Sequence, residues 1–370
     1  MAKKVNYASL FTLRKDGRYC YTYTDEDGKR KYLYDKDPAA LYNKAQKIGE
    51  APAITFERVA EEWWDSITEV VAHGTQSTYK SVKQRAIDHH GTKTIDEVSA
   101  ADIFAVLLEM RNQDYSAKTM RKQRSVYKMI LDHAIVKGYI TSNPATGLKL
   151  PNGVKEAETR EAPEADVVAI IKNSKNEYFG LFPFFLLYTG LRKGEALALT
   201  WGDVDFENDE ITVNKAVEHH GNAPFLKLPK TKAGIRTVPL LSPLKAALNP
   251  GAPNELVFPG HDGKLMSQDA YDKRWRHWCK AVGLVEIEKD NRVDKRGHAY
   301  SVDVFTLKIT AHQLRHCYAT ILFEAGVDVF SARDFMGHKD IATTQKIYTH
   351  LRKKQREGSK SKLDNYVQSL

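Results

Sequence analysis

Histidine and tyrosine side chains near the C-terminus, His338 and Tyr348, lie ten residues apart across a predicted short helix. Three segments upstream carry cationic side chains of the kinds that bind phosphate. These segments are residues 189–195 (TGLRKGE), 230–232 (KTK) and 312–315 (HQLR). The chain therefore carries, in this order, an arginine, a lysine, a histidine, a second arginine, a second histidine and a tyrosine. Together they could neutralise a phosphodiester, transfer protons and attack phosphorus.

This ordered set of residues resembles the site of the tyrosine recombinases, which form the phage-integrase family. Arg192, with Glu195 three residues later and the run ALALTW after it, matches the first arginine motif of the family. The pair Gly337-His338 and its spacing to Tyr348 match the last motif. The resemblance covers most of the chain, and the order of the motifs is more specific than any one of them.

The resemblance implies a role for each of five residues. Tyr348 would be the nucleophile, and nearby cations would have to favour its phenolate, because a tyrosine has a reference pKa of about 10. Arg192 and Arg315 would clamp two non-bridging phosphate oxygens with paired donors. His312 would be the general base, since its i,i+3 spacing to Arg315 lets both face one site. His338 would donate a hydrogen bond to the phosphate.

A lysine on a predicted hairpin is expected to be the general acid that protonates the leaving 5′-oxygen. The family's Lys-Thr pair matches Lys230-Thr231, and Lys232, two residues on, remains an alternative. Glu195 is expected to orient Arg192 from the i,i+3 position. The sequence has no cluster with metal-ligand spacing and no glycine-rich phosphate loop, so neither a metal nor another cofactor is expected.

Composition favours a phosphate-bearing partner and an intracellular protein. The 370 residues carry a formal net charge of +9 with a pI near 9.1, and they are enough for two or three domains. Cys20, Cys279 and Cys317 are scattered, which argues against a disulfide framework and a cysteine zinc site. No apolar run approaches the length of a membrane span. These features favour the cytosol, and the resemblance to the family implies a bacterial cytoplasmic, nucleoid-associated protein.

Residues 1–50 predict a three-stranded meander followed by a helix. Asp16-Gly17 and Asp27-Gly28 favour tight turns, and a helix is expected from Asp37-Pro38 to Gly49. One sheet face, rich in tyrosine, should pack on the helix, whereas the other should enter a DNA groove. That second face is expected to carry Arg14, Lys15, Arg18, Lys29 and Lys31. The segment resembles the arm-binding domain of integrases from conjugative transposons.

Residues 54–150 read as almost wholly helical and resemble the four-helix core-binding domain of the family. Thr55, Ser99 and Ser116 are predicted N-caps, and Gly138 is predicted to end the last long helix. The first half of that helix carries charges of one sign, which favours contact with phosphates. These cations are Lys118, Arg121, Lys122, Arg124 and Lys128.

Residues 155–370 are predicted to form an α+β catalytic domain with a C-terminal tail. Strands are expected at about 210–217, 225–229 and 235–240. Helices are expected near 164–173, 179–190, 267–281, 311–325, 329–335 and 341–349. Residues 285–307 should be a loop or an extra hairpin. The tail beyond Arg352 is basic and amphipathic at its end, and it could dock on a neighbouring protomer or on its own domain.

The expected fold is multidomain and mainly α with small β-sheets. The resemblance implies an integrase of a prophage or other mobile element, which cuts and rejoins DNA through a 3′-phosphotyrosine intermediate for integration and excision. Its expected partners are double-stranded DNA at core and arm sites, three further copies of itself in a homotetramer, and an excisionase-type accessory factor. The alternatives are a topoisomerase or chromosome-dimer resolvase with the same chemistry, and a non-catalytic DNA-binding regulator.

Overall fold

The computed structural model describes residues 7–25, 27–47, 54–156, 162–229, 235–294 and 296–368. The chain divides into two compact units, Met1–Glu158 and Thr159–Leu370. Helices dominate both units, and each sheet is small and antiparallel, as the sequence predicts. Within the described residues, no helix combines the length and apolar character that crossing a membrane requires.

The predicted N-terminal meander is confirmed. Strands β1 (Thr12–Leu13), β2 (Tyr19–Thr24) and β3 (Arg30–Asp35) form an antiparallel sheet in that order, and helix α1 (Pro38–Lys47) follows. Gly17 and Gly28 both adopt φ of +76°, which the two turns require and which glycine accepts without steric cost. Gly49, the predicted end of the helix, lies outside the described residues.

The expected division of side chains between the two sheet faces is wrong in part. Tyr34 pairs with Cys20 and Tyr32 with Thr22, whereas Lys31 pairs with Tyr23. Because directly paired residues share a face and neighbours alternate, Lys31 lies on the same face as Tyr21 and Tyr23. Tyr32 and Tyr34 lie on the opposite face, so both faces of the sheet carry tyrosine. Arg30, which pairs with Thr24, lies on the Tyr32–Tyr34 face instead.

Four further helices lie in the described residues of the first unit: α2 (Phe56–Thr68), α3 (His73–His90), α4 (Ala100–Asn112) and α5 (Ala117–Lys137). The three predicted N-caps are confirmed, since Thr55, Ser99 and Ser116 each accept a backbone N–H from the following turn. Gly138 ends α5 at φ of +77°, also as predicted. The buried core between these helices includes Phe56, which has no exposed surface.

The described part of the second unit begins with helices, and three small sheets lie between its later helices. Its helices are α6 (Ala165–Asn173), α7 (Leu181–Thr189), α8 (Lys193–Ala198), α9 (Ser242–Lys245), α10 (Gln268–Ala281), α11 (Ala311–Glu324), α12 (Val329–Met336) and α13 (Ile341–Gln368). Its strands are β4 (Val204–Asp205), β5 (Glu210–Val213), β6 (Ala216–His220), β7 (Ala223–Lys227), β8 (Arg236–Pro239), β9 (Val285–Val293) and β10 (Ala299–Leu307). Sheets β4-β5-β8 and β6-β7 precede α9, and the β9-β10 hairpin joins α10 to α11.

Two elements of the second unit differ from the sequence prediction. The strand expected over residues 210–217 is two strands in different sheets, because Asn214 and Lys215 turn inward and both hydrogen-bond to buried Asp203. The last helix continues to Gln368 instead of ending near residue 349. Residues 285–307 form the extra hairpin, which was one of the two alternatives.

Helices α7 and α11 pack in the core and bring two site segments together. Nearly every side chain of α7 is buried, including Phe182, Phe185 and Leu186. Gly190 ends α7 at φ of +62°, and a Cβ there would lie 2.2 Å from the ring of Tyr318 on α11. The close approach of the two helices places the residues after α7 directly against the first turns of α11.

Candidate active site

Glu195 accepts two hydrogen bonds from Arg192 at the start of α8. The Arg192 backbone N–H donates to Glu195 Oε2 and its Nη1 donates to Oε1, each over 2.8 Å. Nη2 of Arg192 also donates to the carbonyl of Gly337, over 3.2 Å. The Arg192 side chain is about half exposed and Glu195 is buried, so the carboxylate orients a guanidinium that solvent can reach. The orienting contact predicted for Glu195 is present.

A second guanidinium, Arg236 at the start of β8, holds the other side of Glu195. Its Nη1 and Nη2 donate to Glu195 Oε1 and Oε2 over 3.1 and 2.7 Å, and its Nε donates to the carbonyl of Phe335 over 3.1 Å. Burial raises the pKa of Glu195, but the hydrogen bonds and charge of Arg236, with those of Arg192, outweigh it and leave that pKa at about 2. Glu195 is therefore ionised at neutral pH.

Arg315, on the second turn of α11, is almost fully buried with 3% of its surface exposed. Its Nη1 donates to the carbonyl of Gly190 over 2.7 Å, and its Nη2 donates to the carbonyl of Met336. Burial and then the positive charge of Arg192 lower the pKa of Arg315 to about 9, so it remains cationic at neutral pH. The guanidinium links the end of α7 to the end of α12.

His312 lies one turn before Arg315 and is exposed. Its ring meets the edge of the His316 ring, with centroids 4.7 Å apart. Partial desolvation of its ring, followed by the charges of Arg315 and Arg192, lowers the pKa of His312 below its usual value. The imidazole is therefore neutral at physiological pH and can accept a proton.

His338 follows the Gly337 turn that ends α12. Its Nδ1 lies 2.9 Å from Oγ1 of Thr344, which has 1% of its surface exposed. Burial, then the charges of Arg315, Arg192 and Arg236, lowers the pKa of His338 to about 4. A neutral ring whose Nδ1 accepts the threonine hydroxyl carries its proton on Nε2, where it can donate a hydrogen bond.

Tyr348 is not turned towards the arginines. Its hydroxyl donates to the carbonyl of Val327 over 3.2 Å, and its ring meets the edge of Phe323 with centroids 5.2 Å apart. Burial, and then the negative charge of Asp328, raises the pKa of Tyr348. The expectation that nearby cations favour its phenolate is therefore wrong for this conformation, because the groups that act on the phenol are apolar or anionic.

Arg192, Glu195, Lys227, Arg236 and Gly337 line a cavity of about 380 Å³ beside the arginine cluster. The structure thus brings together four of the predicted catalytic residues, Arg192, His312, Arg315 and His338, around the ends of α7 and α12. Lys230 and Lys232, the two predicted general acids, lie outside the described residues.

The cations predicted to contact DNA in the N-terminal sheet are not equivalent. Arg14 and Arg18 both stack over the ring of Tyr34, at 5.1 and 5.3 Å from its centroid, and both pair with Asp16. Lys31 pairs with Asp25 from the other face. Lys15 and Lys29 are exposed.

Three of the five cations predicted on α5 have partners within the protein. Arg124 donates from Nη1 to the carbonyl of Leu148 over 2.6 Å, which ties α5 to the segment that follows it. Arg121 forms an exposed ion pair with Glu156, and Lys128 pairs with Asp132. Lys118 is exposed and Lys122 is half-buried.

Arg236 and Thr344 are the site residues that sequence reasoning missed. Arg236 had one signal, since it opens the strand after the Lys230-Thr231 pair and alternates with buried Val238. Thr344 had none beyond its place between His338 and Tyr348. In both cases the partner lies far away in the sequence or on another element, so only the folded chain reveals the contact.

Residues 162–355 match the sequence model described as the phage integrase family, and residues 56–150 match that of the phage integrase central domain. Together these matches span most of the chain and both structural units. The chain belongs to the phage integrase family and is a tyrosine recombinase. The resemblance on which the sequence interpretation rests is confirmed.

Curated relatives extend over nearly the whole chain. A tyrosine recombinase XerC-like protein of Caldanaerobacter subterraneus subsp. tengcongensis is 26% identical over 99% of each chain. The transposase from transposon Tn916 of Enterococcus faecalis is 25% identical over 91% of this chain and 89% of its own.

Solved structures show the same fold. The Tn1549 transposon integrase, in complex with a circular intermediate DNA, matches with a TM-score of 0.64 and 21% identity over 80% of this chain and 95% of its own. A lambda integrase dimer bound to a core site matches with a TM-score of 0.57 and 16% identity over 94% of this chain and 96% of its own. A third match is a lambda integrase tetramer bound to a Holliday junction, with a TM-score of 0.57, 17% identity and coverage of 90% and 96% of the two chains.

Proposed function

We propose that this recombinase is the integrase of a mobile element, and that it cuts and rejoins double-stranded DNA through a 3′-phosphotyrosine at Tyr348. The convergence of Arg192, Arg315, His312 and His338 on one edge of the catalytic unit supports this proposal more than any other observation. The transposon names of the Tn916 and Tn1549 relatives favour a mobile element over a chromosome-dimer resolvase or a topoisomerase.

The chemistry follows from the charge of the phosphodiester. The phenol oxygen of Tyr348 attacks phosphorus, the bond from phosphorus to the 5′-oxygen breaks, and the phenol proton passes to neutral His312. Arg192 and Arg315 stabilise the negative charge that develops on the non-bridging oxygens. Lys230, with Lys232 as the alternative, gives a proton to the leaving 5′-oxygen. Attack of a 5′-hydroxyl on the phosphotyrosine reverses these steps and reseals the strand.

The two histidines suit these roles because both are neutral at physiological pH. His312 can accept a proton as the phenol loses it, since partial desolvation and the adjacent arginines lower its pKa. His338 can donate from Nε2 to a non-bridging oxygen while Thr344 holds its Nδ1. Protonation of either ring before DNA binds would add a charge beside the arginines, which Coulomb repulsion opposes.

Tyr348 must leave the carbonyl of Val327 before it can attack. In the structure its pKa is raised and its hydroxyl donates to that carbonyl, so this conformation holds the nucleophile in an unreactive state. We infer that α13 shifts when core DNA or a neighbouring protomer binds. The tail of α13 beyond Arg352 could make that second contact on a neighbour or on its own domain.

The same proposal assigns a function to each region of the chain. Residues 1–50 would bind arm DNA through the sheet face with Arg14 and Arg18, residues 54–150 would bind the core site, and residues 155–370 would cut it. Four protomers would act on two duplexes in the cytoplasm of a bacterium. An excisionase-type factor would set the direction of the reaction.

A covalent protein–DNA adduct that survives SDS tests the proposal directly. Wild-type protein should form it on a duplex with the element's end sequence, and Tyr348→Phe should bind that duplex without forming it. Tyr178→Phe, a change at an exposed tyrosine of the same unit, is the matched control and should form the adduct normally. An adduct at wild-type level in Tyr348→Phe would remove Tyr348 from its role. A wild-type protein that binds the duplex without any adduct would favour the non-catalytic regulator.

A further inference from the structure

We propose that Arg236 is a positioning residue of this active site, which sets the geometry of Arg192 and His338 and links both to the strand that follows the Lys230 segment. The inference rests on the proposed function, because it assigns Arg236 a part in the same DNA cleavage. It concerns a residue outside the motif set from which the site was recognised.

The contacts of Arg236 join three elements. Its own strand, β8, pairs through Arg236 with Val213 of β5. Its two Nη atoms grip both oxygens of Glu195 on α8, and its Nε donates to the carbonyl of Phe335 at the end of α12. Its side chain is 9% exposed, so these charge-assisted bonds are shielded from water. A bidentate pair of this kind fixes direction as well as distance, which lysine cannot do.

The Gly337 turn shows how tightly Arg236 is placed. Gly337 has φ of +60°, and a Cβ there would lie 2.9 Å from the Cδ, Nε and Cζ atoms of Arg236. The carbonyl of the same glycine accepts Nη2 of Arg192. Arg236 therefore packs flat on the turn that precedes His338, while Arg192 binds that turn through its carbonyl. Displacement of Arg236 would therefore move Glu195 and the Gly337 carbonyl, which hold Arg192, together with the backbone of His338.

Three of the five N–H donors of Arg236 are committed to protein acceptors. Arg192, by contrast, is about half exposed beside the same cavity. Arg236 thus acts on the phosphate through Glu195 and the Gly337 turn.

The charge of Arg236 gives this role a measurable signature. Three cations face Glu195: Arg236 from β8, Arg192 from α8 and Arg315 from α11. Burial favours the neutral carboxyl, and Arg236 is the largest single influence against it. Without Arg236, the pKa of Glu195 should rise, so that acid protonates Glu195 and releases Arg192. His338 is neutral, and loss of the positive charge of Arg236 would also raise the pKa of His338.

The test compares Arg236→Met, Arg236→Lys, Glu195→Gln and the double variant Arg236→Met with Glu195→Gln. The matched control is Thr237→Ala, the exposed neighbour on the same strand. Initial rates of SDS-stable adduct formation are measured across pH, with core-site binding and thermal unfolding measured on the same samples. Arg236→Met should cut the rate by on the order of 10²-fold, the usual effect of misplacing catalytic groups, with core-site affinity retained.

The pH profiles separate positioning from a merely structural role. The acid limb of the rate should move to higher pH in Arg236→Met. The part of that shift that comes from Glu195 should vanish in the double variant, which keeps only the smaller effect of the lost cation on His338. Arg236→Lys should lose less rate and should shift less. If the methionine variant unfolds, the lysine variant still tests the inference.

Two results would overturn the inference while the proposed function stands. In the first, the wild-type protein forms its Tyr348-dependent adduct normally, and Arg236→Lys and Arg236→Met both show the wild-type rate and pH profile. The other is a rate loss in Arg236→Met that multiplies with that of Glu195→Gln and leaves the acid limb unmoved, because the two residues would then act independently. Absence of adduct from the wild-type protein would contradict the proposed function and this inference together.

Discussion

Substitution of Gly190 by alanine tests how the α7–α11 contact builds the arginine cluster. Alanine at φ of +62° should cost about 1–2 kcal/mol of unfolding free energy, because an L side chain resists the left-handed region. Its Cβ would also lie 2.2 Å from the Tyr318 ring, and overpacking of this kind costs about 1–3 kcal/mol. Gly283 follows α10 at φ of +74° with nothing within 4 Å of an added Cβ. Gly283→Ala should therefore pay only the first cost.

The difference between the two variants isolates the contact with Tyr318. Thermal unfolding of the full chain should show Gly190→Ala melting about 2–12 °C below Gly283→Ala, the range that ~1–3 kcal/mol implies for a domain of this size. Adduct formation should also fall in Gly190→Ala, because the Gly190 carbonyl accepts Nη1 of Arg315 over 2.7 Å, and it should not fall in Gly283→Ala. Equal melting temperatures and equal rates would refute the packing argument.

Four further predictions follow from the site and the domain division. Arg192→Ala and Arg315→Ala should each reduce adduct formation by roughly 10³–10⁵-fold, since charge stabilisation in phosphoryl transfer has this magnitude. Core-site affinity should fall much less, and equal losses of affinity and adduct formation would show that the two arginines only bind DNA. Deletion of residues 1–50 should abolish arm-site binding in a gel-shift assay and leave core cleavage intact; loss of core cleavage in a folded truncation would contradict the boundary. A 5′-bridging phosphorothiolate, whose thiolate leaves without a proton, should rescue cleavage by Lys230→Ala; a failure to rescue would place the general acid elsewhere. The pKa of His338 is about 4 when folded and should be near 6.5 when unfolded, so the unfolded chain binds more protons between these values and the unfolding free energy should fall as pH drops through that window. His338→Gln should flatten this pH dependence in denaturant melts, and an unchanged slope would contradict the assignment.

Several local features were predictable from sequence because their causes are local. The caps at Thr55, Ser99 and Ser116 were predictable because a hydroxyl one turn before an apolar stripe can satisfy only nearby N–H groups. The turns at Gly17 and Gly28 were predictable because Asp-Gly accepts a positive φ. The break in the strand over residues 210–217 was not, since it depends on Asp203, which lies outside that strand.

The sequence by itself determined the family, the helical character of both units and the identities of Arg192, His312, Arg315 and His338 as neighbours in one site. It could do so because residue types in a fixed order carry that information. Tertiary structure alone decided that Arg236 shares Glu195 with Arg192, and that Tyr348 rests against Val327. Both outcomes depend on which distant carbonyls and carboxylates are buried together. Burial and neighbouring charge set the pKa of each group, and neither can be read from spacing along the chain.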